Sequence, residues 1–514
     1  MSVIFLVVVL FAAAFLLFYL RFRLVGSKYW ERRCVPHLKP MFLLGNVWRA
    51  YITVNLNDIL AELYLANREK RVLGMWFFNN PSLMVMDREI MKRILIKDFN
   101  IFRDRGFEIN EDIDPLAGHL FLISGKKWRN LRVKLTPTFS SGKMKMMFPT
   151  IAHCAKQLQE HLKEPAEAGK VIEVKEMLAR FTTDVISSCA FGIETNSLKN
   201  PKSEFRKHGK RIFEADLRNM VVNMMLFVYP NLTKMFKLRV IPEDVTEFFI
   251  NAVRETVEHR EKTNTKRNDF LQLVMQLMKA GKIEDADKTP VDGMTDEEMV
   301  QKFTLHEAAA QCFVFFIAGF ETSSTTLTYC LYELARNPDI QKRLQDEIDS
   351  VMIDCSGQVT YEGLHSMEYL DMVVQETLRK YPPVTILQRK CTQDYHIPEL
   401  NTTVEKGITV MFPVWGIHRD PDLYPNPDRF DPERFTAEER ARRDTCAYLP
   451  FGEGPRNCIG TRFGLMQVKI ALFYMLSAYE VDVASTTPIP IKYEVKTFIL
   501  TPAGGMNLVF RKRA

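Results

Sequence analysis

Residues 451–460 read Phe451-Gly452-Glu453-Gly454-Pro455-Arg456-Asn457-Cys458-Ile459-Gly460, and the fold is decided on this decapeptide. It puts Cys458 in surroundings that suit a thiolate metal ligand. Gly452, Gly454 and Gly460 let the backbone turn tightly and come close to a flat group. Pro455 stiffens the loop. A helix-like stretch, residues 461–479, follows, so the sulfur lies near the positive end of a helix dipole. Arg456 adds a fixed positive charge two residues away. Each feature favours the thiolate, the form that binds metal. The competing reading of a lone cysteine is a buried structural thiol.

The decapeptide resembles the haem-binding loop of the cytochrome P-450 superfamily, Phe-x-x-Gly-x-Arg-x-Cys-x-Gly, with no position missing. That resemblance implies haem b as cofactor, Cys458 as its axial thiolate, and Phe451 and Arg456 beside it. It also implies a mainly α fold with small β-sheets, in one large domain behind an N-terminal transmembrane helix.

The bulk of the chain agrees with a large folded protein. It has 514 residues, 46% hydrophobic and 26% charged, too ordered a composition for disorder. No Gly/Ser linker, low-complexity tract or repeat divides it, which favours one large domain. Its 36 Phe and 25 Met supply adaptable apolar surface, most of it ordinary core. The nine cysteines are scattered and form no C-x-x-C pair. This argues against a disulfide scaffold or a zinc site and for a reducing compartment. The net charge of +6 is concentrated between residues 21 and 40, where six basic residues face Glu31 alone. The rest is near neutral, so no nucleic-acid partner is indicated.

Residues 3–20 are apolar and uncharged. As a helix they span roughly 27 Å, close to the hydrocarbon thickness of a bilayer. The basic cluster follows the run rather than preceding it, and Phe18-Tyr19-Leu20-Arg21 is a poor cleavage site. An uncleaved signal anchor over residues 1–20 is expected, in a single pass, with the following chain in the cytosol. Pro36 and Pro40 make residues 21–40 a basic, stiff, extended hinge. Microsomal members of the resembled family carry a similar hinge, which implies the endoplasmic reticulum membrane as location and residues 41–514 as the haem-thiolate catalytic domain.

Coarse patterning places a hairpin over residues 71–87, split by Asn79-Asn80-Pro81. Residues 140–350 are mostly helical. Thr295 and Glu298 make a capping box for a helix of about 40 residues running to Pro338. Its uncharged middle, residues 308–320, must be buried. Short strands are expected over 385–391 and 409–415, and a closing hairpin over 495–511.

The long helix carries Ala318-Gly319-Phe320-Glu321-Thr322, which resembles the family's oxygen-activation motif. Gly319 costs about 1 kcal/mol in a helix relative to alanine and is read as making room for dioxygen. Thr322 can bond to its own i−4 carbonyl or turn away from it. With Glu321 and water it can deliver protons, which is general acid catalysis. A merely hydroxyl-rich helix is the competing reading. Glu376 and Arg379 are opposite charges at i and i+3. The resemblance makes them, with Arg434 of Pro432-Glu433-Arg434-Phe435, a buried structural triad rather than catalysts. Trp128 and Arg132, at i and i+4, are good donors to a carboxylate. In the resembled family such a pair binds the haem propionates, and Arg389 and Arg456 occupy further propionate positions.

Helical periodicity from Thr322 puts Ala318, Phe315 and Val314 on its face and so in a distal pocket. Val384 and Leu387 follow where the family contacts substrate, and residues 106–121 form an adjustable lid ending near Phe121. Plain core is the alternative for each. Lys126, Lys127, Arg129 and Lys134 make a basic face on which the family docks an acidic reductase; a solvated face is the alternative. Residues 224–229 and 235–241 read either as a second apolar, basic membrane contact or as core.

The reaction implied is monooxygenation of a lipophilic xenobiotic, steroid or lipid. Electrons come from NADPH through a separate flavoprotein reductase, since the chain has no dinucleotide motif, and cytochrome b5 is a further implied partner. A haem-thiolate isomerase or dehydratase acting on peroxides would not need Glu321-Thr322. A haem carrier or sensor would need neither Gly319 with Thr322 nor a docking face. The finer likeness, in residues 122–129 and 419–435, is to insect microsomal members of the xenobiotic-metabolising type.

Overall fold

The computed structural model describes residues 2–24, 26–50, 54–214, 216–228, 235–283, 301–355, 357–495 and 497–513. In chain order, the elements that bear on the site begin with α1 (Ser2–Leu24), β1 (Val72–Phe77), β2 (Asn80–Val85) and α2 (Gly125–Leu135). There follow β3 (Val171–Glu173), α3 (Val174–Ile186), α4 (Leu305–Arg336) and α5 (Glu368–Lys380). Last come β4 (Leu387–Lys390), β5 (Tyr395–Ile397), β6 (Thr402–Val404), β7 (Thr409–Phe412), α6 (Thr461–Ala478), β8 (Tyr479–Val483) and β9 (Asn507–Lys512). The fold is mainly helical with small sheets, as expected. Where one large domain was expected, the chain packs as two compact units. One takes residues 1–106, 385–425 and 444–455; the other takes 107–384, 426–443 and 456–514. Interleaving of this kind leaves no linker composition in the sequence to mark it.

The smaller unit holds a four-stranded sheet in the order β1-β2-β7-β4 and a two-stranded sheet of β5 and β6. The β1–β2 hairpin turns at Phe78, whose φ of 55° is left-handed, and Pro81 lies inside β2. The turn therefore sits earlier than Asn79-Asn80-Pro81 suggested. β7 runs parallel to β2 and antiparallel to β4, with Arg389 opposite Val410. Trp30 is fully buried against this sheet and donates from Nε1 to the Met75 carbonyl at 3.2 Å. A side chain on Gly74 would overlap the Trp30 indole, which is why the strand carries glycine there. Gly74 also exchanges backbone hydrogen bonds with Pro36 and Leu38, at 2.7 and 3.0 Å. The stretch expected to be an extended hinge is thus packed into the unit. Its prolines hold it extended, and that extended chain pairs with β1.

The backbone of the apolar N-terminal run is helical, as α1. Phe42 packs on four of its rings, Phe15, Phe18, Tyr19 and Phe22, with centroids 5.0–5.7 Å away. Many α1 side chains before Phe15 lie outside the described residues. Among the described residues, no helix is long and apolar enough to cross a membrane.

The larger unit is helical around α4, with a three-stranded sheet ordered β3-β9-β8. Thr295 and Glu298 lie outside the described residues. The capping box that starts α4 is a later one: Thr304 accepts from the Glu307 N–H at 3.1 Å, and the Thr304 N–H donates back to Glu307 at 2.9 Å. The helix is accordingly 32 residues long. At the C-terminus, β9 pairs with β8 rather than closing on residues 495–500. Of the run 224–241, Leu226 is buried while Met235 and Phe236 are exposed; residues 229–234 lie outside the described residues.

Glu376 and Arg379 on α5 are both fully buried. Glu376 Oε2 takes Arg379 Nε at 2.7 Å and Oε1 takes Nη2 at 2.8 Å. The Asp431 N–H donates to the same carboxylate at 2.9 Å, and Arg434 Nε lies 3.6 Å from it. Arg379 also donates to the Pro427 carbonyl at 2.8 Å. Burial pushes the Glu376 carboxyl up, against the lowering pull of Arg379 and Arg434. The triad therefore ties α5 to the 427–434 turn, and single-partner removal leaves an unanswered buried charge. Arg379→Ala is expected to cost about 3–5 kcal/mol, measured by urea unfolding, and conversion of both Glu376 and Arg379 to apolar residues to cost less than the single change.

Candidate active site

The cysteine loop passes from the smaller unit to the larger one between Pro455 and Arg456. On the smaller side, Gly454 has φ 76°, and a side chain on it would overlap the Leu95 carbonyl. Glycine is required there twice over. Phe451, half-buried, belongs to the same side.

On the larger side Arg456 is buried. Its Nη2 donates to the Ile123 carbonyl at 2.6 Å and the Phe121 carbonyl at 3.3 Å. Its guanidinium carbon lies 4.7 Å from the centre of the buried Trp128 ring. Arg132, one turn on from Trp128 along α2, grips the next residue of the loop. Its two terminal nitrogens donate to the carbonyl and the side-chain oxygen of Asn457, both at 2.8 Å. With residues 456 and 457 fixed, Cys458 is left exposed just before α6, whose N-cap is Gly460. The Thr461 hydroxyl donates to the Cys458 carbonyl at 3.0 Å. Burial pulls the Arg132 guanidinium down, and a charge on the neighbouring Cys458 acts in the opposite sense. The sequence brought Trp128, Arg132, Arg456 and Cys458 together, as found; Asn457 was missed, although it lies inside the motif.

Arg389 stands in the smaller unit, on β4, and is fully buried. Its Nη1 donates to the Gln388 carbonyl at 2.8 Å, while Nε has no partner. Burial alone pushes the guanidinium down to about 10.

On α4, the Thr322 hydroxyl donates to the Ala318 carbonyl at 2.6 Å, the i−4 bond foreseen from sequence. Ala318 is exposed and Val314 half-buried, on the Thr322 face. Phe315 is not with them. It is 8% exposed, with ring centroids 4.7 Å from Phe270, 4.9 Å from Phe463 and 5.4 Å from Phe139. Its place is in an aromatic core, because rings from other segments enclose it, which helical periodicity does not register. Gly319 also serves packing. A methyl there would overlap Ile186 Cδ1 of α3, so the glycine serves a close helix crossing. Its carbonyl accepts from Gln467 of α6 at 3.0 Å. Glu321, expected to back Thr322, is instead held by Lys175 of α3 at 2.8 Å, and Lys175 also donates to Ser324 at 2.8 Å. No local pattern announces Lys175, which comes from another helix.

Phe121 is 40% exposed, at the end of the expected lid. Val384, half-buried, ends a stretch of the larger unit, and Leu387, half-buried, begins β4 of the smaller. In the basic face, Lys126 and Lys127 are exposed, but Lys127 is paired with Glu111 at 2.6 Å and Lys134 donates to the Gln301 carbonyl at 2.6 Å.

Residues 36–509 match the cytochrome P450 family. The chain belongs to the cytochrome P450 family. It is 44% identical to cytochrome P450 6a2 of Drosophila melanogaster, over 98% of each chain. It is 43% identical to cytochrome P450 6k1 of Blattella germanica, over 98% of this chain and 95% of that one. It is 41% identical to cytochrome P450 6A1 of Musca domestica, over 93% of each. This cytochrome P450 is therefore a haem-thiolate monooxygenase related to insect enzymes. Its residues fit the cofactor. Cys458 offers an exposed sulfur, and Arg132 of the same unit has no carboxylate partner among the described residues. A guanidinium held only by neutral acceptors suits a group that carries carboxylates.

The crossing at Gly319 gives a direct test. Gly319→Ala is expected to lower stability by about 1–3 kcal/mol despite its better helix propensity. In an Ile186→Val background, which removes the overlapping methyl, most of that loss should vanish in the same thermal melts.

Proposed function

We propose that this cytochrome P450 is a single-pass protein of the endoplasmic reticulum membrane that oxidises lipophilic xenobiotics or endogenous lipids and steroids. Electrons reach it from NADPH through a separate flavoprotein reductase. Cys458 is the iron ligand, and Trp128, Arg132 and Arg456 hold the haem beside it. The observation that carries this assignment is the presentation of Cys458: exposed ahead of a helix, with both preceding residues clamped by arginine contacts. Arg389 and Phe451 are assigned to the same cofactor by the family resemblance, and the buried, unsatisfied Nε of Arg389 supports an anionic partner.

When bound, haem iron supplies the oxygen-activating chemistry, and a thiolate ligand donates electron density to it. The chain's share is to bind, position and protonate. Thr322 holds its proton on the Ala318 carbonyl and can turn that O–H outward without unwinding the helix. Glu321 joins it through water once its bond to Lys175 is shared or released. Phe121, Val314, Ala318, Val384 and Leu387 are the proposed substrate contacts. The basic face around Lys126 and Arg129 is the proposed reductase side, where cytochrome b5 is also accommodated.

The anchor proposal rests on the apolar run 3–20, its helical backbone, and the basic residues after it. Phe42, packed among the α1 rings, holds the helix to the smaller unit. Deleting residues 1–20 is expected to release the protein from carbonate-washed vesicles while haem content stays intact; retention in the washed membrane would remove the anchor. Cys458→Ser is expected to abolish the thiolate-type red-shifted Soret band of the reduced carbon-monoxide complex, together with reductase-dependent turnover. A normal band in that variant would end the assignment.

A further inference from the structure

The segment that bears Phe121 is held to α4 by one side chain. Gln311 is 1% exposed, and its amide faces the turn at residues 118–120. The Leu120 N–H donates to Gln311 Oε1 at 3.1 Å, and Gln311 Nε2 donates to the Gly118 carbonyl at 3.2 Å. Nε2 has a second acceptor in the Glu307 carbonyl, at 3.3 Å, which fixes the orientation of the amide. A side-chain amide that accepts from residue 120 and donates to residue 118 reads the turn as a neighbouring strand would. It answers the backbone groups of a buried loop that has no regular pairing of its own.

The turn is specialised to receive it. A side chain on Gly118 would come within 2.6 Å of Glu111 and 3.2 Å of the Pro115 carbonyl. Between the two clamped residues, His119 is 3% exposed and accepts the Phe121 N–H on Nδ1 at 3.2 Å. Its ring centroid lies 6.5 Å from Phe121 and 6.2 Å from Phe313 of α4. Immediately after, Arg456 takes the Phe121 and Ile123 carbonyls. Phe121 thus hangs from a turn fixed by Gln311 on one side and by Arg456 on the other. On α4, Gln311 stands three, seven and eleven residues before Val314, Ala318 and Thr322, all on one stripe of the helix.

We propose that Gln311 is a positioning residue: its buried amide sets the place of Phe121, and so the shape of lipophilic ligand that the site accepts. The inference rests on the reading of Phe121 as a substrate contact, and the test separates the two. The probes are imidazole and clotrimazole, a small and a bulky haem-binding azole, titrated by the Soret shift of the full-length holoprotein without turnover. The variants are Phe121→Ala, Gln311→Met, Gln311→Glu and the double variant Phe121→Ala with Gln311→Met. Gln311→Met keeps the volume and loses both hydrogen bonds. Gln311→Glu keeps the acceptor for Leu120, loses the donor to Gly118, and serves if Gln311→Met does not fold.

Phe121→Ala should change the ratio of the two dissociation constants by about tenfold, the scale of one good contact. Gln311→Met should move that ratio by a similar factor. The double variant should move it no further than either single one, because both act through the same ring. Hydrogen exchange at the Leu120 N–H should quicken by about tenfold or more in Gln311→Met and stay protected in Gln311→Glu. A ratio unmoved by Phe121→Ala overturns the substrate reading and the inference with it. A ratio moved by Phe121→Ala but not by either Gln311 variant, or effects that multiply in the double variant, overturn the inference alone.

Discussion

A guanidinium taken out of water needs acceptors around it, and Arg456 shows how that need shapes the site. Its charge is buried two residues from Cys458. Backbone carbonyls of residues 121 and 123 take its Nη2, and the Trp128 ring covers its face. The loop cannot shift without leaving that charge unanswered. Residues 121–123, α2 and the cysteine loop are therefore joined by a single side chain. Arg132 repeats the device one residue along, through Asn457. The hydrogen bonds of the two preceding residues thus help to place the sulfur.

The same reasoning separates two kinds of buried arginine. Arg379 is answered by a carboxylate and works as a rivet between α5 and the 427–434 turn. Arg389 is answered by one carbonyl, and burial lowers its affinity for a proton. A buried guanidinium with so few acceptors is costly by itself and becomes favourable beside an anion. Linkage requires that binding of the anion and retention of the proton reinforce each other.

The parts of the site legible in the sequence are those where chemistry limits the residue choice. The cysteine loop was readable because its glycines, cysteine and arginine have few substitutes. The Glu376–Arg379–Arg434 set was readable because its spacing is helical and its third member sits in a second motif. Periodicity did less well inside α4. It names the face of a residue but not what stands opposite, so Phe315 was placed with Thr322 although Phe139, Phe270 and Phe463 enclose it. The packing use of Gly319 was missed because Ile186, which needs the space, is on another helix. Lys175 and Gln311 were missed for the same reason: their partners are distant in sequence. The helix start at Thr304 was missed because Thr295-Asp296-Glu297-Glu298 offers an equally good local cap, and local chemistry cannot choose between two. That residues 30–38 pack on β1 was not legible over 21–40, because Trp30 finds its pocket only once β1 exists.

The five residues 318–322 show why a short motif can carry so much. Successive side chains on a helix point about 100° apart. Ala318 is exposed, and Gly319 faces Ile186. Phe320 packs on Phe316 and Phe213, with their ring centroids 5.2 and 5.7 Å away. Glu321 turns to Lys175, and Thr322 turns back to its own ladder. Three of the five are therefore bound to neighbouring helices, and only Ala318 and Thr322 remain on the open face. The motif is compact because one turn of helix meets packing demands on several sides at once. The Thr322 hydroxyl is held in register by α3 and α6 through Gly319 and Glu321, so its place on the helix is inherited from how closely those helices cross.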